Sequence, residues 1–347
     1  MFENNTTSCQ RLSTDESQAY VYTNLELVLI LGLLPLISTI GTLANAALLF
    51  TIYRVQHMRS TTNLYLANLA IADGLLLIVR SLRYTGTYLY SPIDYFNLTP
   101  FTNRFLCGLP LMLIWWLSFV SVCFICLVAI ERYMSICRPV VHRRIKSRSR
   151  TMRLTLMSWM VPFVVIACHG GSFSVDKVCL IWPTDAAATD LATEFFLICP
   201  VSDMANLSIT TTGALQFIVA CTGNCTLYIF IIRTLGNRDR STTRRKAKCK
   251  ERNQVAKMLS INAGVFFLCL LPMQVLSLLE LLTTTSRIVN DLLFWIAILA
   301  ASLNSAINPL IYNASNPEYR KAFRRAFTTT HNFAAQNRSS SDTSYNM

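Results

Sequence analysis

Long apolar stretches alternate with short polar segments along most of the chain. Crossing the hydrocarbon core of a bilayer, about 30 Å thick, takes roughly 20 apolar residues in one helix. Stretches of that kind recur at 25–53, 63–84, 107–137, 153–169, 213–232, 255–282 and 289–312. The pattern therefore predicts an all-α fold, a bundle of seven transmembrane helices that spans residues 25–312.

Composition agrees with a membrane protein and excludes an ordinary soluble domain. Hydrophobic residues make up 53% of the chain and charged residues only 14%. Most of the 31 Lys and Arg residues fall near Arg54 and Arg59, in 138–153, in 233–257 and after residue 312. Such clusters mark cytoplasmic segments. The net charge of +13 then reflects membrane topology, and no nucleic-acid partner is expected.

The same orientation places the N-terminus outside the cell, because the number of spans is odd. Residues 1–24 are polar and are predicted to form an exported tail rather than a cleaved signal peptide. Segments on that side carry Asn-x-Ser/Thr sequons, so glycosylation is expected at Asn4, Asn5, Asn97 and Asn206. We expect a multi-pass protein of the plasma membrane.

Four of the twelve cysteines lie on the predicted extracellular side, where disulfides can form. Cys107 opens the third helix and Cys179 lies in the long loop after the fourth, so a bond between them would pin this loop over the bundle. The predicted disulfide is Cys107–Cys179. In the alternative pairings, Cys199 forms a disulfide with Cys107 or with Cys9.

Polar residues inside the predicted spans indicate a buried site, because a charge in the middle of a bilayer usually faces the interior of the bundle. Asp73 is the acidic member of the set. The neutral members are Asn45, Ser121, Asn304, Ser305 and Asn308. Their oxygen atoms suit a small hard cation such as sodium, with Asp73, Ser121, Asn304 and Asn308 as the predicted ligands. The alternative is a hydrogen-bonded network with water and no ion.

Short motifs recur in order, one set per predicted helix. They are Gly41 with Asn45, "LAIAD" ending at Asp73, Cys107, "ERY" at 131–133, Trp159, Phe266 with Pro272, and "NPLIY" at 308–312. From residue 25 to about 327 the chain resembles the rhodopsin-like (class A) G-protein-coupled receptors. Three segments are similar in sequence to neuropeptide receptors of the thyrotropin-releasing hormone and neuromedin U type: "MRSTTNLYLANLAIAD", "RNQVAKML" and "LNSAINPLIYNASNPEYRKAFRRAF".

The resemblance implies a switch that couples to heterotrimeric G proteins. Arg132 would pair with Glu131 at rest, then project into the G-protein cleft when the sixth helix moves outward. The expected switch residues are Glu131, Arg132, Tyr133, Tyr228, Phe266, Pro272, Asn308, Pro309 and Tyr312. Two residues depart from the family pattern. Leu270 occupies a position where the family usually has Trp, and Ala220 occupies one where it usually has Pro.

Ligand class is inferred by elimination within the family. Amine receptors carry Asp where this chain has Ile114, and light receptors need a Lys in the seventh helix, where 289–312 has none. A short neuropeptide is therefore expected, with a non-peptide small molecule or lipid as the alternative. The predicted ligand-binding residues are Arg80, Arg83, Ile114, Trp115, Ser118, Gln274, Ser277, Glu280 and Trp295. An intramolecular partner for Arg80, such as Glu280 or Asp291, is the other possibility.

The C-terminal region has the features expected of a receptor that couples to a G protein and whose signalling is then ended by phosphorylation. Residues 313–327 show the apolar and basic periodicity of a short amphipathic eighth helix on membrane lipids. Residues 328–347 are rich in Ser and Thr and are expected to be a disordered cytoplasmic tail for receptor kinases and arrestin. No catalytic constellation or metal site is visible, so an enzyme is not expected. A transporter, the alternative from another class, would show internal repeats, and none is visible.

Overall fold

The structure is a computed structural model that describes residues 9–18, 20–91, 93, 98–183, 193–238, 261–279 and 287–328, with the side chains of 193–194, 235–238 and 287–291 excepted. Seven helices within these ranges are long and apolar enough to cross a membrane. In chain order they are Asn24–Arg54, Thr61–Tyr90, Arg104–Cys137, Arg148–Ala167, Asp203–Arg238, Ile261–Leu279 and Arg287–Ser315. The seven-helix bundle predicted from the apolar stretches is confirmed.

Polar side chains fix where several helices begin. Ser60, Asn103 and Ser147 each accept a hydrogen bond from a backbone N–H in the first turn of the second, third and fourth helices. Such caps satisfy amide groups that have no partner within the helix. Several helices are longer than their apolar stretches, because a capped polar turn can extend beyond the hydrocarbon core.

The third helix is central, since it packs against the second, fourth and fifth, while the first packs against the second and seventh. Gly41 makes the approach of the first helix possible. A Cβ atom on Gly41 would lie 2.5 Å from Cβ of Ala306 and 2.6 Å from Cδ1 of Leu77. Outward-facing apolar side chains such as Leu43 and Leu82 are exposed, as expected of residues that face lipid.

A small three-stranded sheet covers one end of the bundle. Strands β1 (Gln10–Arg11), β2 (Asp176–Ile181) and β3 (Thr193–Ile198) lie in the order β1-β2-β3, with β1 parallel and β3 antiparallel to β2. A separate apolar cluster holds this sheet together: Leu12, Ile93, Leu98, Leu180, Trp182 and Phe196. We call residues 9–18, 20–22 and 98–101 together with β2 and β3 the lid.

The disulfides differ from the prediction, and the Cys107–Cys179 pair is wrong. Cys179 is bonded to Cys9, and Cys107 is bonded to Cys199. Strand register explains the first bond, and the position of Cys199 at the end of β3 explains the second. Gln10 lies opposite Leu180 in the parallel pair, which places Cys9 beside Cys179. Cys199 directly follows β3 and is buried with Cys107 and Phe173.

A short helix, Pro317–Phe327, follows the seventh transmembrane helix at the end opposite the lid. Asn316 caps it and Pro317 occupies its first turn, so the chain breaks between the two helices. Tyr319, Ala322 and Ala326 are buried, whereas the basic residues are on the outer side. An eighth helix is therefore confirmed, although it begins at Pro317 and not at residue 313, because the seventh helix continues to Ser315. We call the half of the bundle next to this helix the tail half, and the other the lid half.

Candidate functional site

Hydrogen bonds hold the Asp73 carboxylate within a buried polar layer. Asp73 is fully buried, its Oδ1 accepts from the hydroxyl of Ser121 at 2.8 Å, and its Oδ2 accepts from Nδ2 of Asn308 at 2.8 Å. Asn45 donates to the carbonyl oxygens of Gly41 and Ser305. The structure thus brings together Asp73, Ser121 and Asn308, with Asn304 also buried in the seventh helix.

The second helix carries two arginines on the same face, nearer the lid than Asp73. Arg80 is only 3% exposed, and its Nη1 donates to Oγ of Ser302 at 3.3 Å. Arg83 donates through Nη1 to Oγ1 of Thr87 at 2.7 Å and to the Leu98 carbonyl at 3.2 Å. Neither guanidinium forms an ion pair among the residues that the structure describes.

Aromatic side chains lie next to these arginines. The ring of Tyr84 is 5.6 Å from that of Trp295 and 5.8 Å from that of Phe294, both edge-on. Trp295 is buried. Arg80, Arg83 and Trp295, which were predicted separately on two helices, therefore border one region between the second and seventh helices. Tyr84 and Phe294 were missed, although both flank predicted residues in the sequence.

The other predicted ligand residues are spread more widely. Trp115 stacks on Phe173 beneath the lid, with ring centroids 6.2 Å apart. Ile114 is buried against Leu76 and Leu117, and the hydroxyl of Ser118 donates to the Ile114 carbonyl. Gln274 and Ser277 are half-buried on the sixth helix. The side chains of Glu280 and Asp291 lie outside the described residues.

The predicted Glu131–Arg132 ion pair is not formed in this structure. The carboxylate of Glu131 lies 3.6 Å from Nε2 of His142, which belongs to the loop helix Pro139–Ile145. Consecutive residues of a helix point in different directions, so Glu131 and Arg132 face different neighbours. His142 was missed because nothing in the sequence indicates that this loop folds back as a helix.

Arg132 instead faces tyrosines in the tail half. It interacts electrostatically with Tyr228 and Tyr319, and its Nε has no hydrogen-bond partner among the residues that the structure describes. Burial raises the pKa of Tyr319 to about 12, and Arg132 opposes that rise. The Tyr319 hydroxyl donates to Oδ1 of Asn63. Neither Tyr319 nor Asn63 was predicted, although the periodicity of 319–327 placed Tyr319 on the apolar face.

The remaining predicted switch residues line the same part of the bundle. Tyr312 is 1% exposed and lies against Tyr319, with ring centroids 5.9 Å apart. Tyr133 contacts Phe230, and Phe266 is buried in the core. Two predicted prolines are also described: Pro309 in the seventh helix is buried, and Pro272 in the sixth is half-buried. Phe217, in the fifth helix, stacks on Phe267 of the sixth.

Of the predicted glycosylation sites, Asn206 is described, and it is exposed in the first turn of the fifth helix. Asn4, Asn5 and Asn97 lie outside the described residues. Asn224, whose sequon falls inside a span, is buried and donates to the Ala220 carbonyl.

Comparison with known proteins supports the receptor interpretation. The family described as "7 transmembrane receptor (rhodopsin family)" matches residues 44–312. The chain is 27% identical to neuromedin U receptor homolog nmur-2 of Caenorhabditis elegans, over 84% of this chain and 77% of that protein. It is 26% identical to neuromedin-U receptor 2 of Rattus norvegicus, over 85% and 74%. It is 27% identical to growth hormone secretagogue receptor type 1 of Mustela putorius furo, over 82% and 76%. The chain is a multi-pass membrane protein and belongs to the rhodopsin family of seven-transmembrane, G-protein-coupled receptors.

Proposed function

We propose that this protein binds a short extracellular peptide in the lid half and activates a heterotrimeric G protein through the tail half. The observation that carries the proposal is the position of Arg132 at the end of the third helix, separated from Glu131 and facing Tyr228 and Tyr319. Similarity to receptors named for neuromedin U supports a peptide ligand.

The proposed orientation places the lid outside the cell, at the plasma membrane. Two disulfides in the lid half support it, because such bonds persist in oxidising compartments. Exposed Arg320, Lys321 and Arg324 on the helix after the seventh span support contact with anionic lipid on the cytoplasmic side. Phosphorylation of the Ser- and Thr-rich C-terminus by receptor kinases, followed by arrestin binding, belongs to the same proposal.

A coupling mechanism follows from the two ends. Ligand contacts with the second and seventh helices would bias the packing of those helices, and the Asp73–Asn308 hydrogen bond connects the same helices deeper in the bundle. Tyr312 lies one turn beyond Asn308 and contacts the group around Arg132. A change in ligand occupancy can therefore alter the environment of Arg132, with a coupling free energy of about 1–3 kcal/mol, typical of allosteric systems.

The test is a screen of the expressed receptor against short peptides, made both as amides and as free acids, with calcium and cAMP as readouts. A peptide that activates wild type should fail to drive nucleotide exchange in Arg132→Ala at equal surface expression. The control is Arg153→Ala, an exposed arginine that bonds to Ser149, which should respond as wild type does. Full activation of Arg132→Ala would contradict the proposed coupling role.

A sodium ion bound to Asp73, Ser121, Asn304 and Asn308 is also proposed. The Asp73 carboxylate and the Ser121 hydroxyl are oxygen ligands of the kind that hard cations prefer. Nδ2 of Asn308 donates to Asp73, so an ion would have to displace that bond. If sodium binds, NaCl should raise the unfolding temperature of wild type above its value in N-methylglucamine chloride, but not that of Asp73→Asn. Equal values for wild type in both salts would favour a network without an ion.

A further inference from the structure

Arg80 is a buried cation, and its hydrogen-bond partner within the described residues is a neutral hydroxyl group. It lies seven residues after Asp73, on the same face of the second helix. Its Nη1 donates to the Ser302 hydroxyl, and its Nε has no hydrogen-bond partner. A guanidinium has five N–H donors, and within the described part of the chain the Nε–H donor of Arg80 is unused.

Arg83 repeats the arrangement one turn nearer the lid. Its Nη1 is held by the Thr87 hydroxyl and the Leu98 carbonyl, and its Nε again has no partner. Both acceptors are neutral. Because Leu98 belongs to the lid, Arg83 lies where the lid meets the bundle. Arg80 and Arg83 together form a cationic pair that leads from the lid into the interior.

No acidic side chain forms an ion pair with Arg80 or Arg83 within the described part of the chain. Asp73 acts on Arg80 electrostatically, but its two oxygens already accept from Ser121 and Asn308. Removing a guanidinium from water without a counter-ion is unfavourable. Two such groups on one face indicate a position adapted to bind an anion rather than to stabilise the ligand-free bundle.

We propose that the activating ligand carries a carboxylate, which binds between Arg80 and Arg83. This deepens the proposed function, since it names the chemical class of the ligand that the lid half recognises. The planar guanidinium presents paired N–H groups that match the two carboxylate oxygens. Tyr84, Phe294 and Trp295 lie beside the pair and suit an apolar or aromatic body attached to the carboxylate.

A neutral carbonyl would satisfy hydrogen bonds but would leave the positive charges of buried Arg80 and half-buried Arg83 without a counter-ion. A carboxylate supplies the hydrogen bonds and also the missing negative charge. The carboxylate could come from the C-terminus of a peptide or from an Asp or Glu side chain, and both present the same group to Arg80 and Arg83. The experiments below therefore test the charge first and its source second.

The first experiment measures thermal unfolding of purified, ligand-free receptor in nanodiscs. Arg80→Met removes the unneutralised charge but keeps an apolar side chain, so the unfolding temperature should rise by about 2 °C or more. Arg83→Met should change in the same direction. Arg104→Met, at an exposed position at the start of the third helix, is the control and should not change. A fall in unfolding temperature, or failure of Arg80→Met to fold, would show that Arg80 is structural and overturn the proposal.

The second experiment uses 3-phenylpropionate and its uncharged amide as probes of the same size. The carboxylate should raise the unfolding temperature of wild type, the amide should not, and Arg80→Met should lose the effect. Equal shifts from the two probes, or none from the carboxylate, would overturn the proposal. Because no G protein is present, a failure of the proposed coupling function cannot be mistaken for either result.

The third experiment compares active peptides in cells. Replacing the critical carboxylate with an amide should reduce potency by roughly 10- to 100-fold on wild type and much less on Arg80→Met. Loss on converting the C-terminal acid to its amide identifies the terminus, whereas loss on Asp→Asn or Glu→Gln identifies a side chain. Uncharged peptides that activate wild type as strongly as their acidic counterparts would contradict the proposal.

Discussion

The two halves of the bundle hold their buried polar groups in different ways. In the tail half, Asp73 accepts hydrogen bonds at both carboxylate oxygens, and the Tyr319 hydroxyl donates to Asn63. In the lid half, Arg80 and Arg83 have neutral acceptors and each leaves its Nε without a partner. The tail half thus surrounds its buried carboxylate with donors, although Nε of Arg132 has no hydrogen-bond partner among the described residues, whereas the lid half offers its two arginines neutral acceptors only.

The two halves illustrate two different roles for buried polar side chains. A closed network contributes to stability and has a defined arrangement that can exchange with a second one. Unneutralised charge costs stability in the absence of ligand, which binding can recover. The lid half compensates by other means, since two disulfides and an apolar cluster hold the lid. Mutations in the two halves should therefore differ in sign and in size.

The largest effect is expected from the disulfide that ties the lid to the third helix. Replacing Cys107 or Cys199 with Ser frees β3 from the third helix. Chain-entropy estimates give a bond across 92 residues about 4–5 kcal/mol and the Cys9–Cys179 bond, across 170 residues, a similar value, so the ranking rests on the position of the bond. We expect almost no receptor at the cell surface by antibody labelling. Cys9→Ser should leave more receptor there, because the Cys107–Cys199 link to the membrane helix remains.

Double variants test the pairing itself. Cys9→Ser with Cys179→Ser should be no worse than Cys179→Ser alone, since both changes remove one bond. Cys9→Ser with Cys199→Ser should be worse than either single variant. If instead Cys107→Ser and Cys179→Ser proved equivalent and non-additive, the Cys107–Cys179 pair would be restored and the explanation from strand register would be wrong.

An intermediate effect, opposite in sign to that of Arg80→Met, is expected at Asp73. Asp73→Ala leaves the Ser121 hydroxyl and the Asn308 amide without their acceptor, at about 1–3 kcal/mol for each buried group. Asp73→Asn keeps one acceptor oxygen and should lose about half as much. Thermal unfolding of the ligand-free receptor measures both. Stabilisation by Asp73→Ala would remove the proposed difference between the two halves.

Much of the bundle could be predicted from the sequence because its determinants are local. Twenty apolar residues suffice to specify a span, and the positions of Asp73 and Arg80 on one face follow from helical periodicity alone. The family motifs placed Asn308 and Tyr312 on the seventh helix. Such inferences need no knowledge of which distant segments meet.

The lid could not be predicted in the same way, because its order depends on pairing between distant segments. Cys9 meets Cys179 only because β1 pairs with β2 across 170 residues. The same limit applies to His142, which reaches Glu131 through a loop helix. Arg80 was recognised as a candidate, but its contact with Ser302 depends on how the second and seventh helices pack.

The smallest effect is expected at Tyr319, where the tail half joins the C-terminal helix. Tyr319→Phe removes the hydroxyl that donates to Asn63 and should lower the free energy of unfolding by about 1 kcal/mol.

Burial raises the pKa of this tyrosine to about 12, above the value of about 10 expected in the unfolded chain. Its contribution is therefore complete below about pH 10 and declines as the pH rises towards 12. Thermal unfolding from pH 8 to 11 should show a steeper loss of stability above pH 10 in wild type than in Tyr319→Phe. Tyr53→Phe, at a residue 76% exposed, is the control and should follow wild type. Identical pH profiles for wild type and Tyr319→Phe would show that Tyr319 is not part of the closed network of the tail half.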